Sequence, residues 1–291
     1  MFKFQMIFKG GSTTFYNSSI FFPSEMRQQV ATLYAFVRTA DNFVDVRPQK
    51  KDEFRAFVED YHQARQGGST SNEVISEFIE LSKNKSFADE WVDSFLNSMS
   101  SDIDGHICQT LEDTLQYVHG SAEVIGLMMA AIMDLPRQSH EFAAKLGRAF
   151  QYINFIRDID HDNALNRIYL PLAEVKSAGL SGLEREEAIK KPEAFNGFIL
   201  EQIKRYRSWQ KEASQGYEYL PKKFLVPIKT AADMYAWTAD QIEINPQIVF
   251  DRIVKPDKFK VIGKAIHNYF KIKNDQGIHL RGQHQDKKIP G

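Results

Sequence analysis

One cysteine, Cys108, is all that this chain of 291 residues contains. A disulfide framework is excluded, and so is a zinc site built on Cys-x-x-Cys. The reducing cytoplasm is therefore the expected compartment. Charge of one sign is missing too. The 37 Lys and Arg balance 38 Asp and Glu to a formal net charge of -1. No overall basic field invites nucleic acid, and none is expected as a partner. Long apolar runs are absent. The longest, VIGLMMAAIM from Val124 to Met133, falls well short of the roughly 20 residues that a spanning helix needs, and it reads as a buried core helix. The N-terminal MFKFQMIFKGG mixes lysine with apolar residues and lacks an A-x-A-like cleavage site, so it is not read as a signal peptide. Alternating β-branched runs and Asn-Gly hairpins are missing as well. No P-loop is present, which leaves nucleotide phosphate chemistry without support.

What the chain does have is helical spacing almost everywhere. Helices are predicted over 13–21, 24–45, 51–66, 71–83, 87–103, 111–133, 140–162, 184–190, 194–217, 221–243 and 258–271. Breaks fall at QGGSTS, at DLPRQS, along the connection 163–183, and around Pro246 and Pro256. Ser139 suits an N-cap for the helix that follows it. No long Pro/Gly/Ser linker and no repeat divides the chain. The prediction is one all-α domain over 1–272, followed by a polar, patternless tail at 273–291 without fixed structure.

Two helix ends are acidic. YAFVRTADNFVD places Tyr34, Arg38, Asp41 and Asp45 in one stripe, within about 60° on a helix. QYINFIRDIDHD does the same with Gln151, Asn154, Asp158 and Asp162. Each stripe ends in Asp-x-x-x-Asp. With 19 aspartates in the chain, about one such pair is expected by chance, so one pair alone means little. The third pair, Asp89 and Asp93, reads as an ordinary polar helix face. The second segment also carries an apolar stripe, Phe142, Leu146, Ala149, Ile153 and Ile156, as any amphipathic helix does.

Three arguments favour a metal site over two solvated helix ends. The face with Asp158 carries Ala144, Gly147, Gln151, Asn154 and Phe155, which suits a cavity wall better than bulk water. Asp41 and Asp45 end a helix containing VATLYAFV, apolar all round and hence internal, where carboxylates require a partner. Aspartates at a helix C-terminus also oppose the macrodipole, and like charges at i, i+4 cost a further ~0.2–0.5 kcal/mol per pair. A set of carboxylates without His or Cys suits Mg²⁺, with Mn²⁺ as the alternative. Two such ends, with Arg38 and Arg157 nearby, fit a diphosphate bound through bridging ions.

These residues resemble the squalene/phytoene synthase family of head-to-head trans-isoprenyl diphosphate synthases. LYAFVRTADNFVD is similar to the family's first Asp-rich segment, and GRAFQYINFIRDIDHDNALNRIYLP to its second. YVHGSAEVIGLMM resembles the helix with a Gly-rich kink between them, although His119 stands where relatives often carry Tyr. STTF, Ser12 to Phe15, resembles the family's N-terminal Ser-x-Ser-Phe. The resemblance runs from about Gly11 to Lys260 and is most specific in the second segment.

The resemblance implies the class I terpenoid synthase fold, a single-domain helical bundle around a central cavity. It implies that Asp41, Asp45, Asn154, Asp158 and Asp162 hold Mg²⁺. Ser12, Thr14, Arg38, Gln151, Asn154, Arg157 and Arg167 would bind the prenyl diphosphate substrates. Tyr34 and Tyr235 would stand near the reacting carbons, and Asp160 would be a bystander. The implied product is phytoene from two geranylgeranyl diphosphates. NRIYLP and SAEVIGLMM read more like phytoene synthases, and the small Ser18 and Ser19 leave room for a long tail. Dehydrosqualene or squalene from farnesyl diphosphate is the alternative, and NADPH is not expected. A hydrocarbon product implies peripheral membrane contact. A chain-elongating synthase or cyclase of the same fold would carry Asp-Asp-x-x-Asp, which is absent. A non-catalytic assembly factor would have lost acidic ligands, and both pairs are intact.

Overall fold

The apolar run predicted to lie inside does so. Helix α1 (Ser24–Asp45) buries Val30, Leu33, Phe36, Ala40 and Val44. The computed structural model describes residues 20–285, with side chains as far as Lys273. Most of the helix expected over 13–21 lies outside the described residues, as do Ser12, Thr14, Ser18 and Ser19. Phe36 stacks on Phe78 at 3.8 Å between ring centroids and packs obliquely against Phe57, Tyr61 and Phe95. These rings belong to α2 (Lys51–Arg65), α3 (Glu73–Lys85) and α4 (Asp89–Ser101). Burying a ring of this kind is worth about 1.5–3 kcal/mol. The cluster fixes one side of α1, so the stripe holding Asp41 and Asp45 faces the other way.

Capping residues set several of the boundaries. Asn72 accepts from the backbone N–H groups of Val74 and Ile75 at the start of α3. Thr110 and Asp113 form a reciprocal capping box at the start of α5 (Leu111–Val118). The helix predicted over 111–133 then passes through a π-helical turn at His119–Glu123 and continues as α6 (Val124–Ile132). At Gly120, inside that turn, a Cβ would collide with Ser94 O and Ser98 Oγ of α4. The wider turn lets the backbone pass α4 at that distance.

Helix α7 (His140–Arg157) lies at the centre, against α6, α11 (Pro192–Ser214) and α12 (Lys222–Ile244). The helix predicted over 140–162 breaks at Asp158, and α8 (Ile159–Ala164) follows. The connection 163–183 is not featureless. Arg167–Ile168 pairs in parallel with His106–Ile107, and α9 (Leu172–Ser177) follows. Helix α10 (Arg185–Lys190) leads into α11, which starts on Pro192. The last helix, α13 (Lys258–Gln285), runs past the expected end near 271 into the stretch predicted to be patternless.

Candidate active site

A cavity of about 530 Å³, open to the surface beside Ile253 and Lys255, runs between α1, α4, α6, α7 and α12, a size in the range of small-molecule sites. Much of its wall is apolar, including Val37, Met99, Ile125, Met129, Leu146 and Phe150. One end is densely charged. Every predicted site residue within the described residues lines this cavity: Tyr34, Arg38, Asp41, Asp45, Gln151, Asn154, Arg157, Asp158, Asp162, Arg167 and Tyr235.

On α1, Arg38 donates to Asp41 and approaches Asp45 Oδ2 at 3.8 Å. Arg167 reaches the same carboxylate from the strand pair. Its Nη1 donates to Asp45 Oδ1 at 2.7 Å, and its Nη2 donates to the Val44 carbonyl at 2.8 Å. Only 3% of Arg167 is exposed. Burial pushes Asp41 up to about 7, and Asp45 adds to the effect while Arg38 opposes it.

The second acidic end is built differently. Asp158 caps α7 with φ -102° and ψ 16°. The backbone ladder still passes through it: Asp158 N–H donates to Asn154 O, and Asp162 N–H to Asp158 O, each at 2.8 Å. Asp158 and Asp162 therefore stay one turn apart despite the break. Arg157 holds Asp158 through Nε to Oδ1 at 2.7 Å and through Nη2 to Oδ2. Burial pushes Asp162 up to about 6, with His161 opposing and Asp158 adding. Asp160 points to solvent, off the site. Asp89 and Asp93 lie elsewhere, in ion pairs with Arg65.

Tyr235 stacks on Phe150 at 4.3 Å and is 8% exposed. Burial holds the Tyr34 hydroxyl above the usual phenol range. Both rings border the charged end, so they offer π faces beside it.

The donor set fits a hard divalent cation. Every candidate ligand atom is oxygen, and the buried Asn154 Oδ1 has no hydrogen-bond partner. Among the described residues, no three His, Cys, Asp or Glu side chains are grouped closely enough to hold an ion by themselves. Mg²⁺ commonly takes one or two carboxylates, water and substrate phosphate, and two separated pairs match that habit.

A profile describing squalene/phytoene synthase matches residues 8–260. The chain belongs to the squalene/phytoene synthase family. Its members are prenyltransferases. A 15-cis-phytoene synthase from Pantoea ananas is 26% identical over 289 residues, covering 93% of each protein. A chloroplastic phytoene synthase from an Oncidium hybrid cultivar is 26% identical over 249 residues, which is 80% of this chain but 58% of the plant protein. The chain thus spans about six tenths of that relative's length. Among solved structures, a dehydrosqualene synthase in complex with a ligand superposes with a TM-score of 0.79 at 19% identity, covering 94% of this chain and 96% of the other. Squalene synthase HpnC from Alicyclobacillus acidocaldarius gives 0.72 at 22% identity, over 83% and 92%. These likenesses establish the class I terpenoid synthase fold.

In this member of the family, a layer of residues behind the acidic ends escaped sequence reasoning. Asp102, 2% exposed, accepts from Tyr117 Oη at 2.6 Å and from Tyr169 Oη at 2.9 Å. Burial pushes its carboxyl up to about 6 against the opposing pull of Arg167 and the two hydroxyls. The Asp102 carbonyl accepts from Gln49 Nε2, whose same nitrogen also donates to the Val44 carbonyl. Tyr169 stacks on Phe155 of α7 at 4.4 Å. Asp102 itself caps α4, so in sequence it looks like a plain helix end. Lys255 also lines the charged end. Partial burial lowers its pKa, and Arg157 adds to that while Asp158 opposes it. It follows α12 in the connection that runs past Pro246 to Pro256, with no helical stripe to mark it.

Proposed function

We propose that the protein condenses two geranylgeranyl diphosphates head to head into phytoene. The observation that carries this reading is the meeting of two Asp-x-x-x-Asp helix ends with Arg38, Arg157 and Arg167 at one end of an otherwise apolar cavity. That arrangement suits an allylic diphosphate whose head is charged and whose tail needs dry walls.

Arg38, Gln151, Asn154 and Arg157 face the diphosphate and bind it, and Arg167 holds Asp45 in place from behind. Asp41, Asp45, Asn154, Asp158 and Asp162 would hold Mg²⁺, which when bound withdraws charge from the departing diphosphate. As the first diphosphate leaves, an allylic cation forms at C1. The double bond of the second molecule attacks it, and loss of a proton gives a cyclopropylcarbinyl diphosphate. The second diphosphate then leaves the cyclopropylcarbinyl carbon, the cation rearranges, and loss of a proton, with no reductant needed, gives phytoene. Tyr34, Tyr235 and Phe150 present ring faces that stabilise positive charge. The apolar wall keeps water from capturing the cations. Among the described residues no helix is long and apolar enough to cross a membrane, and we place release of the water-insoluble product at a bilayer surface.

The curated relatives favour phytoene, whereas the structural neighbours named above are dehydrosqualene and squalene synthases. The second reading is therefore condensation of farnesyl diphosphate. The test is incubation with Mg²⁺ and each prenyl diphosphate, with and without NADPH, followed by hydrocarbon analysis. Phytoene from geranylgeranyl diphosphate, unchanged by NADPH, is the expected outcome. A cyclic or one-unit-longer product would sink the head-to-head reading. Asp41→Asn and Asp158→Asn should each abolish turnover while helical content is kept, and full turnover in both would remove the site assignment.

A further inference from the structure

Helix α13 has two apolar faces, and among the described residues only one of them is covered. Val261, Ala265 and Asn268 are buried against the bundle. Asn268 Nδ2 anchors that face, donating to Thr230 Oγ1 at 3.2 Å and Asp233 Oδ2 at 2.9 Å on α12. On the opposite side, Phe259, Ile262, Ile266, Tyr269 and Phe270 are between 40% and 74% exposed. At 100° per residue these five fall within an arc of about 100°. Single exposed apolar residues are ordinary, but a continuous stripe of this length on one helix calls for a partner.

The surrounding charge says which partner. From Lys255 to Lys273 there are six lysines and one aspartate, in a chain whose net charge is -1. Lys258 borders the stripe and Lys273 falls within it, while Lys260, Lys264 and Lys271 stand about 80–120° round the helix from its other edge, with Lys260 Nζ over the Trp237 ring at 4.9 Å. Lys264 leans toward Asp233 at 3.5 Å. Lysine stems of this length lie along apolar surface while their ammonium groups reach outward. An apolar arc flanked by lysines is the pattern of a helix lying in the plane of an anionic membrane interface. The stripe also begins beside the cavity. Ile253 and Lys255, a few residues before Phe259, line it, Lys255 beside Arg157 and Asp158 at the charged end, and Ile253 is 56% exposed.

We propose that the outer face of α13 docks on an anionic bilayer surface, setting the charged end of the cavity at the membrane. The proposal goes beyond the reaction and holds whichever prenyl diphosphate is used. Its test is flotation of the full-length protein with vesicles of phosphatidylcholine alone and of phosphatidylcholine with about one-third phosphatidylglycerol. The protein should float with the anionic vesicles and be released by high salt. The triple variant Phe259→Ser, Ile266→Ser, Phe270→Ser should lose at least about tenfold in vesicle partition. Its circular dichroism and its turnover in detergent solution should match wild type. Lys258→Gln with Lys271→Gln and Lys273→Gln should remove the preference for the anionic vesicles. The proposal is overturned if wild type does not float, or if the triple variant floats as well as wild type. It is equally overturned if light scattering shows a wild-type dimer that the triple variant converts to monomer, since the face would then join two copies of the chain.

Discussion

Arg167 Nη1 donates to Asp45 Oδ1 at 2.7 Å across 122 residues of chain. This one contact ties the segment after the second acidic end to the first. Arg167 also fixes the Val44 carbonyl at 2.8 Å, so it holds both the side chain and the last turn of α1. The parallel pairing of His106 with Arg167 sets where the guanidinium starts from. Asp45 is thus positioned by an arginine that is almost wholly buried.

Replacing Arg167 should therefore cost both stability and turnover. Arg167→Ala removes the hydrogen-bond donor to Asp45 and leaves the Val44 carbonyl with Gln49 Nε2 as its remaining side-chain donor. Breaking a buried pair costs about 3–5 kcal/mol, and the partial exposure of Asp45 places this case nearer 2–3 kcal/mol. Arg167→Lys keeps the charge but not the two-pronged geometry, so it should recover less than half of the loss. Urea titration reads the stability and steady-state kinetics the turnover. Wild-type stability in Arg167→Ala would show that Asp45 needs no such support.

The raised carboxylates predict how pH acts on the metal. Asp41 is pushed up to about 7 and Asp162 to about 6. Because these folded-state values lie above the ordinary carboxylate value, the metal-free folded chain binds more protons than the unfolded chain between about pH 4 and 7. Its stability from these groups is present at the acid side and falls as pH rises through that window. Mg²⁺ needs the ionised form, so its binding runs the other way and releases protons. From Asp41 alone, affinity at pH 6 should be about tenfold below that at pH 8. Calorimetric titration with Mg²⁺ and inorganic pyrophosphate measures this. An affinity that does not change between those pH values would remove both carboxylates from the metal's ligands.

The two acidic stripes were legible because local periodicity carries them: α1 ends at Asp45 as its pattern predicts, and its apolar run is internal. The break at Asp158 was not legible. Ile159 and His161 continue a helical pattern, and the turn is made by backbone angles that no Gly or Pro announces. Helix α9, Leu172–Ser177, is too short to show a period. The Asp102, Tyr117 and Tyr169 network joins residues up to 67 positions apart. Nothing local distinguishes its aspartate from a surface helix cap.

The crossing of α7 with α6 and with the π-helical turn before it should tolerate no added side chain. A Cβ at Gly147 would meet the Ala122 carbonyl, with its carbon 3.0 Å away, and a Cβ at Gly126 would lie 2.8 Å from the carbonyl carbon of Ala143. Both obstacles are backbone and cannot swing aside. All four residues line the cavity, so separating the helices also reshapes it. Gly147→Ala should cost about 1–3 kcal/mol and shift the ratio of products formed from the two prenyl diphosphates. A melting temperature equal to wild type would mean the helices approach less closely than this.

Lys255 offers the cleanest separation of binding from folding. Its side chain reaches solvent, and the charged end of the cavity, with Arg38, Arg157 and Asp158, lies around its ammonium. The residues on either side, Val254 and Pro256, are buried, so the backbone presents it there without depending on it. Lys255→Gln should leave stability within about 0.5 kcal/mol of wild type. It should raise the KM for prenyl diphosphate and weaken inorganic pyrophosphate several-fold, because one of the cations facing the diphosphate is gone. Lys255→Arg should restore most of that affinity, as a charge at this position matters more than the geometry of its donors. If Lys255→Gln instead lowered kcat alone, the ammonium would act on the departing diphosphate in the transition state and not on its initial capture.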